Sequence, residues 1–341
     1  MGRVVQGMSA SVVWIVGLAL LADTVGADEV GNAMGYVFIG TSLGVLFGPL
    51  LGGIVFDRTS YDAVFGIAYG VIGMDVILRF IVIEKRVALK WLDTEEGGER
   101  ADTVPLEEVD RKADVESAAS NNRRDNKKRR HTMVTLLRSK RLLAALWSTT
   151  VVALLTTAFE ATLPLYVKEI WSWTSTGAGL LFLAMVVPSF LGPLIGSISD
   201  RIGPRWLAAG GFLLLVPFQV CLRFVDHNTI GQKVLLVALL VFFGLSLNLV
   251  VTPVMADITL VVQDKVKKNP AIFGKKSAYA QAYGLFNLSY AVGSLAGPLW
   301  GGFIRTASGW GTMGWTLGLL SGISAIPAAI WCGGTIYDKN E

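Results

Sequence analysis

A few ionisable residues interrupt long apolar stretches of this sequence, and these residues could carry chemistry. Glu160 stands alone in one apolar stretch, while Asp75 lies four residues before Arg79 in another. Ionisable groups are costly in hydrocarbon, so they usually face a partner or a water-filled cavity. Glu160 is therefore a candidate for proton exchange, and the alternative is a glutamate that reaches the membrane surface. Asp75 and Arg79 share a helix face, which favours a structural pair, and Asp75 is also a candidate for the proton pathway.

Polar side chains recur at helical spacing within other apolar stretches. Arg3 and Gln6 begin the first stretch, and Asn248 and Thr252 lie four residues apart in a later one. A further stripe comprises Tyr283, Asn287, Tyr290 and Ser294. Such side chains either bond neighbouring helices together or line a water-filled cavity. The cavity is the favoured interpretation for Asn248, and both interpretations remain open for Asn287.

A short turn at 196–205 combines glycine and proline with the charged residues Asp200, Arg201 and Arg205. Such a turn can hold two helix ends together on one side of a membrane. Asp257, at the end of another apolar stretch, is the predicted partner of Arg201 or Arg205, and Asp23 occupies the matching place earlier in the chain. The alternative is a solvated turn whose charges only follow the charge bias of membrane loops.

The composition excludes a water-soluble enzyme. Of the 341 residues, 52% are hydrophobic and 16% are charged, and the mean hydropathy is +0.54. A soluble domain carries about 25% charged residues. The two cysteines lie in apolar stretches and the two histidines in polar loops, so neither a disulfide framework nor a metal site is expected. With no recognisable phosphate-binding loop or catalytic triad, we expect no enzymatic activity and no cofactor.

The apolar stretches are long enough to cross a bilayer, which takes roughly 20 mostly apolar residues per helix. They are continuously apolar rather than alternating, which indicates helices and not barrel strands. The sequence thus predicts an all-α polytopic membrane protein. The predicted spans are 4–22, 33–55, 63–83, 142–167, 178–198, 206–225, 234–256, 280–303 and 312–336.

The charge is concentrated in the segment 84–141, which holds 15 of the 30 Lys and Arg and 12 of the 26 Asp and Glu. Its composition cannot support a packed core, so we expect a flexible linker. Because it joins two spans, its basic residues do not predict nucleic-acid binding. Most other Lys and Arg outside the spans fall on the same side of the membrane, which predicts that the linker and the C-terminus are cytoplasmic.

A ten-residue pattern occurs twice within the spans. The first copy has Gly44, Gly48, Pro49, Gly52 and Gly53, and the second has Gly293, Gly297, Pro298, Gly301 and Gly302. Glycines four residues apart lie on one helix face and let a neighbouring helix approach closely. The copies lie six spans apart, which predicts a duplicated six-helix unit of which the nine spans are helices four to twelve.

These motifs resemble those of the major facilitator superfamily, specifically its drug:proton antiporters with twelve helices, including fungal multidrug and vesicular-amine-type members. The glycine-proline copies resemble the antiporter motif of helix five and its echo on helix eleven. Residues 3–7 resemble a motif on helix four, and 196–205 resembles the family's charged signature loop. The resemblance implies a major-facilitator-type bundle that is truncated at its N-terminus. It would comprise a partial half-bundle (1–83), a cytoplasmic linker (84–141) and a six-helix half-bundle (142–341).

The resemblance further implies a monomeric secondary transporter that exports small amphipathic molecules in exchange for protons. It assigns Arg3 a part in proton transfer and makes the charged turn a latch that forms and breaks as the cavity alternates. The membrane would be the plasma membrane or a vacuolar or vesicular membrane. Two alternatives stay open: a truncated membrane protein that does not transport, and a solute:proton symporter.

Overall fold

The computed structural model describes residues 2–25, 30–81, 137–268 and 275–333, and these residues are helical with short connections. No strand occurs in these four ranges, which confirms the predicted all-α fold. The helices are α1 (Gly2–Val25), α2 (Val30–Arg58), α3 (Tyr61–Ile81), α4 (Lys140–Trp171), α5 (Ser175–Val186), α6 (Gly192–Ile202), α7 (Pro204–Cys221), α8 (Ile230–Lys268), α9 (Lys275–Ser308) and α10 (Trp310–Trp331). Two 3₁₀ turns, Val187–Leu191 and Leu222–Phe224, join α5 to α6 and follow α7.

Where its residues are described, each predicted span lies on helix, except at Val225, Cys332 and Gly333 near the ends of two spans. By length and composition, six segments are suited to crossing a membrane: Tyr61–Arg79, Lys140–Trp171, Ser175–Ser199, Pro204–Phe224, Ile230–Lys265 and Trp310–Trp331. Within α1 the apolar helix Val4–Gly17 is shorter, and α2 and α9 are not among the six. The total of nine spans therefore stays a prediction. The linker 84–141 lies outside the described residues up to position 136.

The chain divides into two compact units, Met1–Arg58 with His131–Glu341, and Thr59–Arg130. In the second unit the described helix is α3, where Arg79 Nε donates to Asp75 Oδ2 at 2.8 Å. This bond confirms the predicted pairing of the two residues. The division at positions 83 and 141 into half-bundles and a linker remains a prediction.

The core of the first unit is built around α4, which is buried along most of its length. Phe159 is fully buried, with its ring centroid 4.6 Å from that of Phe243 in α8 and 6.2 Å from that of Trp310 in α10. Tyr166 stacks on the same Trp310 at 3.9 Å. A helix that is apolar on every side is buried on every side. Consequently α4 is the element against which the other helices of this unit are positioned.

For this unit, we call the end where α4 begins the proximal end and the end where α4 finishes the distal end. The chain reverses direction after α4, and α5 and α6 then run in the same direction as one segment, Ser175–Ser199. With the further reversals before α7, α8, α9 and α10, the helices α5, α8 and α10 start at the distal end. The proximal end gathers the last residues of α6, α8 and α10 and the first residues of α4 and α7.

The second glycine-proline copy brings α9 directly against the backbone of α4. A Cβ atom added at Gly293 would meet Thr150 O, and one added at Gly297 would meet Thr157 Oγ1 and Leu154 O. Gly301 is less tight, because its Cβ would lie 3.2 Å from Ala158 Cβ. The prediction that these glycines allow a close helix crossing is confirmed for this copy.

The first copy has a different environment. A Cβ added at Gly53 of α2 would lie 2.7 Å from Ser175 O, and one added at Gly179 of α5 would lie 2.9 Å from Pro49 O. In contrast, a Cβ at Gly44 or Gly48 would meet no atom of the described residues within 4 Å. The close approach in this copy therefore uses the last glycine of the pattern, and α5 is the neighbour.

We expect a matched pair of alanine substitutions to separate the two copies. Gly297→Ala places a methyl group against the α4 backbone, which cannot move aside as a side chain can, and should cost about 1–3 kcal/mol of stability. Gly48→Ala adds the same methyl to open space in a helix, where alanine is favoured over glycine by about 1 kcal/mol. Thermal unfolding of the detergent-solubilised protein should show a lower Tm only for Gly297→Ala. Equal losses in both variants would contradict the assigned contacts.

Candidate functional site

A buried ion pair joins the proximal ends of α4 and α8. The side chain of Asp257 is fully buried, and its Oδ1 accepts from Arg141 at 2.8 Å (Nε) and 2.5 Å (a terminal nitrogen). The backbone N–H of Gly333 also donates to the Asp257 carboxylate, at 3.1 Å to Oδ1 and 3.2 Å to Oδ2. An exposed second carboxylate, Asp264, lies 3.2 Å from Arg141. These bonds compensate the cost of burying a charge at Asp257.

A further arginine fixes the neighbouring chain segment. Arg205, near the start of α7, donates from Nε to Cys332 O at 3.0 Å. Cys332 directly follows α10 and precedes Gly333, so α4, α7, α8 and α10 are bonded together at one point. We call Arg141, Arg205, Asp257, Cys332 and Gly333 the proximal clip.

The partner of Asp257 differs from the predicted one, because Arg141 and not Arg201 or Arg205 forms the ion pair. Arg141 is the second residue of α4, which places it beside the end of α8, whereas Arg201 is exposed at the end of α6. Arg141 is the last charged residue of the predicted linker 84–141, so the sequence pattern did not distinguish it from the other linker charges as a partner of Asp257. The side chains of Asp200, Asp23 and Arg3 lie outside the described residues.

Asn248 supports a break between two short helices. Its side-chain amide donates to Pro188 O at 3.1 Å, and its Oδ1 accepts from Thr252 Oγ1 at 2.8 Å. Pro188 lies in the 3₁₀ turn between α5 and α6, where the regular pattern of helical hydrogen bonds is interrupted. Gly192, the first residue of α6, packs next to this contact, since a Cβ added there would lie 3.7 Å from Asn248 Oδ1. Asn248 therefore bonds α8 to the neighbouring α5–α6 segment. The sequence favoured the other interpretation, in which Asn248 lines a water-filled cavity.

Glu160 lies on an exposed part of α4, just distal to the glycine crossing with α9. Within the described residues it forms neither a hydrogen bond nor an ion pair, and it is close enough to Tyr290 of α9 for an electrostatic interaction. Asn287 lies one turn before Tyr290 and is half-buried, while Gln6 on α1 is exposed. Tyr283 is buried with its hydroxyl 3.4 Å from Thr259 Oγ1. The structure thus leaves Glu160 and Tyr290 within electrostatic range of each other, whereas Asn248 belongs to the separate contact with Pro188.

Aromatic and charged contacts hold the distal end together. Arg305 of α9 donates to Glu169 of α4 at 2.5 Å, and the Tyr166 hydroxyl donates to Val225 O. Trp171 Nε1 donates to His227 O at 3.1 Å, and Lys233 Nζ lies 5.8 Å from the centre of the Trp171 ring. An apolar cavity of about 440 Å³ lies beside these residues, with Trp173, Leu181 and Val237 among its lining. Glu160 does not line this cavity.

Taken together, the six segments suited to crossing a membrane, the buried α4 and the glycine crossings define a polytopic helical membrane protein. The family profile described as Major Facilitator Superfamily matches residues 1–268 and 145–335 of the chain. The chain belongs to this superfamily, and the protein is a membrane transporter and not an enzyme.

Curated relatives are transporters as well. The chain is similar to the MFS-type transporter ppzB of Metarhizium majus, with 29% identity over 97% of this chain and 78% of the relative. It is similar to the uncharacterized MFS-type transporter C18.02 of Schizosaccharomyces pombe, with 32% identity over 89% of this chain and 67% of the relative. A shorter similarity, 31% identity over 30% of this chain and 18% of the relative, links it to the MFS-type efflux transporter ffsH of Aspergillus flavipes.

We expect the proximal clip to stabilise the fold strongly. Replacing Asp257 by Ala removes the buried partner of Arg141 and the acceptor of the Gly333 N–H, while Asp264 still compensates the charge of Arg141, so the change should cost about 1.5–3 kcal/mol. Replacing the exposed Arg138 by Ala removes a nearby positive charge and should change stability by less than about 0.5 kcal/mol. Thermal unfolding in detergent, followed by tryptophan fluorescence, would measure both changes. A clip that contributes nothing would leave the two variants with the same Tm.

Proposed function

We propose that this transporter exports small amphipathic molecules in exchange for protons, by alternating access between two helical half-bundles. The observation that carries this proposal is Glu160, the only Asp or Glu in the predicted span 142–167. Its carboxylate has no fixed partner in the described part of the chain, so it is free to bind a proton or a substrate. Competition between a proton and a substrate for one carboxylate is a simple way to couple their movements.

The surroundings of Glu160 support this role. The helix that carries it is fixed by close packing against α9 at Gly293 and Gly297, and the Tyr290 hydroxyl of α9 lies within electrostatic range of the carboxylate. A carboxylate with an aromatic side chain in its wider surroundings suits an amphipathic solute with an apolar body and a polar group. Export as the direction agrees with the printed name of the Aspergillus flavipes relative, an efflux transporter.

The tight glycine crossings would act as pivots in the alternating movement. A crossing that brings two backbones together excludes water and lipid from between the helices, which also limits proton leak. The proximal clip would hold α4, α7, α8 and α10 together while the half-bundle 142–341 moves. We further propose that the linker lies in the cytoplasm and that the protein acts in the plasma membrane or a vacuolar membrane.

Glu160→Gln should abolish proton-coupled export while leaving the fold intact, because glutamine keeps the size of the side chain but cannot ionise. The measurement is export of a fluorescent cationic dye such as ethidium from proteoliposomes with an imposed pH gradient, with a pH-sensitive dye reporting proton movement. The matched control is Glu169→Gln on the same helix, whose carboxylate bonds to Arg305 at the distal end. This control should retain most of the activity.

The results separate the candidate functions. Loss of both dye and proton movement in Glu160→Gln but not in Glu169→Gln supports the antiporter. Dye and protons that move in the same direction would indicate a symporter, and an unchanged rate in Glu160→Gln would remove this residue from the mechanism.

A further inference from the structure

The distal ends of α2 and α5 are joined by a carboxylate that the sequence patterns did not single out. Asp57, the penultimate residue of α2, accepts two hydrogen bonds at Oδ2 from Thr176 of α5. The backbone N–H of Thr176 donates at 2.8 Å and its hydroxyl at 2.7 Å. One side chain thus binds both polar groups of a residue on another helix.

This carboxylate takes the place of a helix cap. The first backbone N–H groups of a helix have no partner within the helix and carry a partial positive charge. The residue before α5, Thr174, makes no side-chain capping bond to the α5 backbone. Asp57 supplies the missing acceptor from outside, and its negative charge faces the positive end of α5. The amino end of α5 therefore depends on α2 for its cap.

The cap lies one helical turn from the place where the two backbones are closest. Gly53 approaches Ser175 O, and Gly179 approaches Pro49 O, with hypothetical Cβ distances of 2.7 and 2.9 Å. At this distance the helices have little room to slide past each other. A movement in which the distal ends swing apart would break both bonds of Asp57.

The charge of Asp57 persists at physiological pH. Bonds from the hydroxyl and the backbone N–H of Thr176 lower the pKa of this carboxyl, which lies just beyond the predicted span 33–55. A lowered pKa means that the stabilisation is present at neutral pH and is lost only as the pH falls below the usual carboxyl range. Arg58 is the other charged residue of α2, and α5 contains none. Movement of the helices, and not protonation, must therefore open the contact.

We infer that Asp57 and Thr176 form a distal latch, a contact that holds the α2–α5 crossing closed and sets how often the transporter opens at its distal end. This inference rests on the proposed alternating access. Asp57 is here a positioning residue, since nothing places it against the substrate. It acts through the orientation of α5, which leads directly into the helix break at Pro188.

The test measures the distance between α2 and α5 in the full chain in lipid nanodiscs. Spin labels are attached at Phe56→Cys and Leu180→Cys, whose native side chains are 49% and 52% exposed, with Cys221 and Cys332 replaced by serine and alanine. Hydrogen bonds to a charged group stabilise by roughly 1.5–3 kcal/mol, so losing them should raise the ratio of long to short distances about tenfold or more. We expect part of this shift in Asp57→Asn, which loses the charge but keeps an acceptor oxygen, and in Thr176→Val, which loses the hydroxyl but keeps the backbone donor.

Two controls keep the result specific. Thr176→Ser keeps both donors and should match the parent, and Glu169→Gln removes a different distal carboxylate and should also match it. The latch is overturned if Asp57→Asn and Thr176→Val match the parent, or if Glu169→Gln shifts the distances as much. Thr176→Val removes the hydroxyl without changing the size of the side chain, so it keeps the test valid should Asp57→Asn fold poorly.

The distance measurement needs neither a substrate nor a proton gradient, so it is independent of the antiport assay. Shifted distances in a protein that exports nothing would leave the latch in place and overturn the proposed function. Unchanged distances in a protein that does export would overturn the latch and leave the proposed function in place. In an active protein, Asp57→Asn should also change the maximal export rate more than the substrate concentration for half-maximal export, because the equilibrium and not the binding site is altered.

Discussion

Helices in a lipid environment gain little from the hydrophobic effect when they associate, because lipid tails are as apolar as leucine side chains. Close van der Waals contact between backbones must replace it, and this contact requires residues without side chains. In this protein, Gly293 and Gly297 let α9 lie directly on α4, and α4 in turn carries the core residues Phe159 and Tyr166. The position of Glu160 on α4 relative to α9 follows from that crossing. The surroundings of the residue proposed to exchange protons thus depend on two glycines that have no side chain.

The second constraint is that polar groups inside the unit need partners within the protein. Three contacts provide such partners at helix ends or at a helix break. They are the proximal clip, the Asn248–Pro188 bond and the Asp57–Thr176 contact. Backbone groups are left without helical partners at just these places. Each bond therefore has two effects, because it satisfies an isolated donor or acceptor and fixes the angle between the helices that it joins. Glu160 has no such partner among the described residues, and for this reason we propose that it exchanges protons.

The helices were predictable from the sequence because continuous apolar runs of this length form membrane-spanning helices, in which every backbone hydrogen bond is made within the segment. The duplicated glycine-proline pattern also predicted close crossings, and the crossing of α9 on α4 confirmed it. The pattern could not predict which helix lies against each glycine. A Cβ at Gly53 would meet α5, whereas one at Gly48 would meet no atom of the described residues within 4 Å. The partner of Asp257 was missed for a similar reason. Arg141 and Asp257 are 116 residues apart, and only the packing of α4 beside α8 brings them together.

The interruption at Val187–Leu191 has a mechanical consequence. With 12 residues and a rise of about 1.5 Å per residue, α5 is only about 18 Å long, which is well short of the hydrocarbon thickness. Together with the 3₁₀ turn and most of α6 it forms the segment Ser175–Ser199, which is long enough to cross. A stretch of 3₁₀ helix inside such a segment has weaker backbone hydrogen bonds than the α-helix on either side, and it often marks a hinge. The bond from Asn248 to the Pro188 carbonyl ties this point to α8, so a bend there would change the tilt of α5 without detaching the segment from its neighbour.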